Sequence, residues 1–156
     1  MKCGLGCRFK EKEELRLYPY YPKVLALGGV ILVGIGLYFI FLRPPLLAED
    51  ARYMDMTLAE IQAVAPDLTR WLQKVFWVMG GFIFTGGLLT VYIAFSSFQT
   101  RTRGAFQVIA FAGLSSIGWM TIVNFIINSD FKWLLLMSAL PWAAALLLYR
   151  IEGEKK

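Results

Sequence analysis

The sequence predicts an all-α integral membrane protein, a four-transmembrane-helix bundle with an amphipathic outer-loop helix running into the second span. Of the 156 residues 58% are hydrophobic and 17% charged, with a mean hydropathy of +0.57, a balance foreign to ordinary solvent-facing domains. The apolar residues gather at about 24–42, 75–95, 105–127 and 133–149. About 20 helical residues, rising roughly 1.5 Å each, cross a hydrocarbon core of roughly 30 Å. Between the first two runs, Leu58, Ile61, Val64, Leu68, Trp71 and Val75 recur at steps of three and four, the period of a helix with one apolar face.

The N-terminal segment, residues 1–23, is basic, with Lys2, Arg8, Lys10, Lys12, Arg16 and Lys23 interleaved with Glu11, Glu13 and Glu14. Tyr18-Pro19-Tyr20-Tyr21-Pro22 predicts an extended entry with tyrosines at headgroup depth. The run 24–42 is uninterrupted until Arg43-Pro44-Pro45 stops it. Thr57, with Glu60 three residues on, has the pattern of a capping box. Pro66 is tolerated in a first helical turn and disruptive in an interior, so a short helix, a break and a new helix starting near Pro66 are expected within 57–74. That new helix continues into the span 75–95, and its apolar face docks on the bundle top or in the lipid interface.

In the second span Gly86, Thr90 and Ala94 stand at successive i+4 positions, a small-residue groove for close helix packing. In the third, Gly113, Ser116, Met120, Asn124 and Asn128 follow at steps of three or four. An amide facing lipid would be left unsatisfied, so this polar stripe is expected to point into the bundle. Asn128-Ser129-Asp130 turns the chain. The fourth span is short, extended by snorkelling of Lys132. Pro141 is expected to kink it and to free the Met137 carbonyl, which Ser138 or a neighbouring helix would satisfy.

Eleven Lys and Arg residues flank the spans on the side of the termini against five on the other. The bias places both termini, including the tail 150–156, in the cytoplasm of a cell inner (plasma) membrane, with the long loop outside. Because the basic residues flank apolar spans, the net charge of +5 fits topology and anionic lipid; no nucleic acid is expected.

The absence of histidine removes the commonest general base, metal ligand and haem ligand. None of the four runs contains Asp, Glu, Lys or Arg either, which argues against proton relays, ion-coupled carriers and voltage sensors. Cys3 and Cys7 are too few for a four-ligand zinc or iron–sulfur site on their own; an incidental or structural role is expected, with lipidation, redox pairing or an intersubunit metal as alternatives. Glu49, Asp50 and Asp55 with Tyr53 form the densest polar group outside the spans. They could hold a divalent cation or orient an acid/base pair, against the simpler role of a solvated loop. Trp71, Trp77 and Trp133 fit interfacial anchoring, whereas Trp119 and Trp142 lie deeper and are expected to pack.

In layout, with four spans, a long folded first outer loop, a Gly-rich second span and an Asn-Ser-Asp turn, the chain resembles small four-helix bacterial membrane proteins of the DoxX-like kind. The resemblance implies a fold and carries no site. No metal or cofactor is expected. The small-residue faces and the missing reactive groups point first to a non-enzymatic accessory or scaffold subunit of a larger membrane complex, with partner subunits and the lipid bilayer as its contacts. The alternative is a lipid- or quinone-binding module or small carrier, with Asn124, Ser116 and Thr85 as polar contacts in an otherwise apolar cavity.

Overall fold

The structure, a computed structural model, describes residues 19–154. Cys3, Cys7, Tyr18, the charged residues from Lys2 to Arg16, and Lys155 and Lys156 lie outside the described residues, as do the expectations attached to them. The chain forms α1 (Tyr20–Leu42), α2 (Ala48–Tyr53), α3 (Leu58–Val64), α4 (Leu68–Phe98), α5 (Ala105–Ile126) and α6 (Lys132–Glu154). Four of these, α1, α4, α5 and α6, are long and apolar enough to cross a membrane. The expected four-helix bundle of a multi-pass membrane protein is present. One end carries α2 and α3 and is called the loop end; the other, where α1 begins and α6 finishes, is the terminal end.

Several boundaries differ from expectation for local reasons. α1 begins at Tyr20, after Pro19 in an extended conformation (φ −64°, ψ 138°). Pro22 therefore falls in the first turn, where a missing N–H leaves nothing unpaired. Tyr20 is exposed, but Tyr21 is buried and donates its hydroxyl to the Gln99 carbonyl at 2.9 Å. α6 is not short: its apolar stretch is 22 residues, Lys132–Gly153, continuous through Pro141. Ser138 donates to the Leu134 carbonyl at 2.8 Å instead of to that of Met137. The acidic stretch after Arg43-Pro44-Pro45 is itself helical, as α2. Its first turn is fixed by Asp50, whose Oδ2 accepts from the Leu47 amide at 2.8 Å. α3 buries only Ile61, while Leu58 and Val64 stay exposed.

In lipid there is little hydrophobic drive between helices, so contact depends on how closely backbones approach. α1 and α4 approach through Gly29 and Gly36 on one side and Gly80 and Gly87 on the other. A Cβ at Gly36 would lie 2.5 Å from the Phe84 amide nitrogen, and one at Gly87 2.6 Å from the Val33 nitrogen and 2.7 Å from the Gly29 carbonyl. At Gly80 it would lie 2.8 Å from the Gly36 carbonyl. The two glycines on each helix are seven residues apart, close to two turns, so they share a face.

α1 also packs along α6, and α6 along α5, giving the lateral order α4, α1, α6, α5. α4 and α5 meet near the terminal end, where Ala94–Phe98 packs on Ala105–Gly113. That end is tied by an aromatic cluster. Phe98 stacks on Tyr149 at 4.7 Å, Tyr21 meets both edge-on, and Arg101 lies over Tyr149 at 4.3 Å while donating to its carbonyl at 2.8 Å. Wide π-type turns interrupt α1 at Tyr38–Leu42, α4 at Ala94–Phe98 and α5 at Leu114–Gly118.

Replacing Gly36 by Ala drives a methyl into the α4 backbone and should destabilise the protein by about 1–3 kcal/mol. Gly34→Ala, which meets open space, should be neutral or slightly stabilising. Thermal denaturation of both variants in detergent measures the difference. At α3, Glu60 Oε2 accepts from the Thr57 amide (2.7 Å) and hydroxyl (2.8 Å). These bonds, the backbone one foremost, hold its pKa below the ordinary carboxylate value. With the folded value the lower one, the cap's contribution is complete above the unfolded pKa and disappears as pH falls through the folded one. Amide exchange at Thr57, whose N–H donates to the Glu60 carboxylate, compared with the same amide in Glu60→Ala, should show protection that vanishes on acidification only in the unmodified chain.

Candidate functional site

Because α4 and α5 sit at opposite ends of the lateral order, the space between them towards the loop end is unfilled. It forms a cleft of about 1000 Å³, at the top of the roughly 300–1,000 Å³ range of ligand sites. Met79, Phe82, Ile83 and Gly86 of α4 form one wall, and Ser115, Ser116, Trp119, Met120, Val123 and Asn124 of α5 the other. Ile31, Ile35 and Phe39 of α1 with Leu135 and Trp142 of α6 make the floor. Phe82 and Trp119, 77% and 62% exposed, mark the side that opens towards lipid.

Trp142 sets the width. Its indole is 4% exposed and lies between two glycines: a Cβ at Gly28 of α1 would stand 2.8 Å from its Cδ1, and one at Gly113 of α5 would run into its Cε3. No other residue type at 28 or 113 leaves room for this ring where it lies. The ring thus keeps α5 at a fixed distance from α1, and its buried Nε1 has no hydrogen-bond partner among the described residues.

The cleft contains several hydroxyls and an amide, yet few spare donors. Thr90 donates to Gly86 O (2.7 Å), Ser115 to Phe111 O (2.8 Å), Ser116 to Ala112 O (2.6 Å), Ser138 to Leu134 O (2.8 Å) and Asn124 Nδ2 to Met120 O (2.9 Å). Each hydroxyl proton, and one of the two amide protons of Asn124, is spent on the residue's own helix four positions back. The middle of the cleft is consequently suited to hydrocarbon.

Charge is confined to the loop end, where Arg43, Glu49 and Asp50 line the cleft. Arg43 stacks over Phe76 at 3.5 Å and pairs with Asp50 at 3.4 Å. Burial lowers its pKa and Asp50 opposes that shift. Glu49 Oε2 accepts from the buried Ser129 hydroxyl at 2.9 Å and from the Asp130 amide at 2.7 Å. Arg52 pairs with Asp130 at 2.9 Å. α2 is thereby fastened to α1 on one side and to the α5–α6 turn on the other, over the head of the cleft.

The anticipated site residues are divided by this geometry. Gly86, Thr90, Ser116, Met120 and Asn124 line the cleft. Within the bundle Gly86 makes no close helix contact, because a Cβ there would meet nothing within 4 Å; the tight seam uses Gly80 and Gly87. Ala94 is fully buried near the terminal end, and Gly113 supports Trp142. The wide turn at Leu114–Gly118 adds a residue to the helical period, so Gly113 and Ser116 no longer share a face. Thr85 is exposed and outside the cleft lining, which removes it as a contact. Trp119 lies exposed at the rim and is not packed in the interior. Glu49, Asp50 and Asp55 do not converge: among the described residues no three Asp, Glu, Cys or His side chains could share a metal ion. Asn128 leaves the stripe, its backbone left-handed (φ 53°) and its side-chain Oδ1 accepting from the Lys132 ammonium. The sequence offered no sign of the Trp142 spacer or of the Glu49–Ser129 link, which joins residues 80 apart. No family model, curated protein or solved structure matches this chain.

Proposed function

We propose that the protein is a non-enzymatic lipophile-binding membrane module, holding the hydrocarbon part of a lipid or quinone in the cleft between α4 and α5. The observation that carries this reading is the cleft's build: about 1000 Å³, open sideways to lipid, with hydroxyl protons spent internally and charge only at one end. An amphiphile enters such a space from the bilayer without crossing water. Its chain replaces lipid contacts by protein contacts, and its head reaches α2.

An accessory or scaffold subunit is the second reading. Its support is the same opening, where Gly86 and the small side chains of Ser115 and Ser116 would let a partner's helix approach closely. In the orientation favoured by the Lys and Arg count, the terminal end faces the cytoplasm of an inner membrane and the head of the cleft faces outward.

The test fills the cleft from both walls with Gly86→Phe and Ser116→Leu, sites chosen because neither lies in the α1–α4 seam. Unmodified protein extracted in mild detergent should migrate alone on a native gel and yield a stoichiometric lipid or quinone to mass spectrometry. The double variant should fold with unchanged helix content and lose the ligand. Fixed co-migration with a larger complex, abolished by the same substitutions, would replace this reading with the subunit one.

A further inference from the structure

The charged groups at the head of the cleft form an incomplete set, and what completes it is specific. Arg43 has five N–H donors; Nη1 donates to the Pro44 carbonyl at 3.1 Å and Nη2 to Asp50 at 3.4 Å, so the other donors remain. Asp50 is ion-paired to Arg43 and also accepts from the Leu47 amide, both on Oδ2. Glu49 accepts two hydrogen bonds, both on Oε2, out of about four that a carboxylate can take. Among the described residues no lysine or arginine pairs with Glu49. The head thus offers one cation with unused donors, one carboxylate ion-paired to it, and one carboxylate with an unused oxygen that Arg43 attracts without pairing with it.

Resting on the lipid-binding reading of the cleft, we propose that its occupant is a bilayer phospholipid with a primary-ammonium headgroup, its phosphate on Arg43 and its ammonium on Glu49. Each alternative head leaves part of the set unmatched. A headgroup with phosphate alone adds negative charge beside Glu49. A quinone has no cation for that carboxylate. A quaternary ammonium has no N–H to donate, so it leaves the free oxygen of Glu49 unmatched; of the rings that could bind it by their faces, Phe76 and Phe39 are taken up by Arg43 at 3.5 and 5.3 Å, which leaves Tyr38 and Phe131. A primary ammonium brings three donors, which suit the free oxygen of Glu49.

The experiment is native mass spectrometry of the full chain released from nanodiscs. These contain equal amounts of phosphatidylethanolamine, phosphatidylcholine and phosphatidylglycerol with identical chains, plus ubiquinone. The Gly86→Phe, Ser116→Leu protein serves as the background for lipid bound outside the cleft. Above that background, the ethanolamine lipid should exceed each competitor by about tenfold, equivalent to roughly 1.4 kcal/mol. In Glu49→Gln, which keeps an acceptor for Ser129 and Asp130, the preference should fall to near parity. Predominance of the choline lipid, the glycerol lipid or ubiquinone on the unmodified protein overturns the headgroup assignment and leaves the cleft a lipophile site. A preference undiminished in a folded Glu49→Gln also overturns it. No occupant above background overturns the lipophile reading itself, and the headgroup assignment with it.

Discussion

Backbone contact between α1 and α4 at Gly29, Gly36, Gly80 and Gly87 fixes where every other helix can lie. Two helices that interlock this closely act as one slab, and α6 joins it along the remaining free side of α1. α5 then has only α6 to lean on for most of its length. Trp142, seated between Gly28 and Gly113, decides how near it comes. The cleft follows from this arrangement as the place a fifth helix would occupy in a closed ring.

The two ends of the bundle behave differently because their polar chemistry differs. At the terminal end, Arg101 and the rings of Tyr21, Phe98 and Tyr149 draw α1, α4 and α6 together. At the loop end the ties run through α2, from Arg43–Asp50 on one side to Glu49–Ser129 and Arg52–Asp130 on the other. The Arg52–Asp130 pair is exposed on both partners and contributes little by itself. The buried Ser129 hydroxyl, which both donates to Glu49 and accepts from the Phe131 amide, is the stronger constraint. A short helix held this way spans the gap without filling it.

Much of this was legible in the sequence because it is local. The apolar runs, the Thr57–Glu60 cap and the break at Pro66 each depend on neighbours within a few residues, and each has its counterpart in α1, α3, α4, α5 or α6. What depends on a partner was not legible. Gly80-Gly81 and Gly86-Gly87 look alike in sequence, and only the position of Gly36 and Val33 on α1 selects Gly80 and Gly87 for contact. The polar stripe on α5 keeps a regular period in the sequence, which the wide turn at Leu114–Gly118 breaks. α2 is not legible in the sequence, because six residues after an N-cap leucine carry too little periodicity to declare a helix. Ser116 and Asn124 are legible as polar contacts of an apolar cavity, whereas the residues that α1 and α6 contribute to its floor depend on tertiary packing and are not.

A cleft that can admit a lipophile requires α4 and α5 to stand apart in the bilayer. A nitroxide placed at Gly86→Cys, in a chain with Cys3 and Cys7 changed to Ser and reconstituted in phosphatidylcholine, which lacks the proposed primary-ammonium head, reports this through oxygen accessibility by electron paramagnetic resonance. An open cleft gives a mobile label with oxygen accessibility close to that of a label at the lipid-facing Leu89. An immobilised label shielded from oxygen would mean that α5 closes on α4, and the cleft with its proposed occupant would be contradicted.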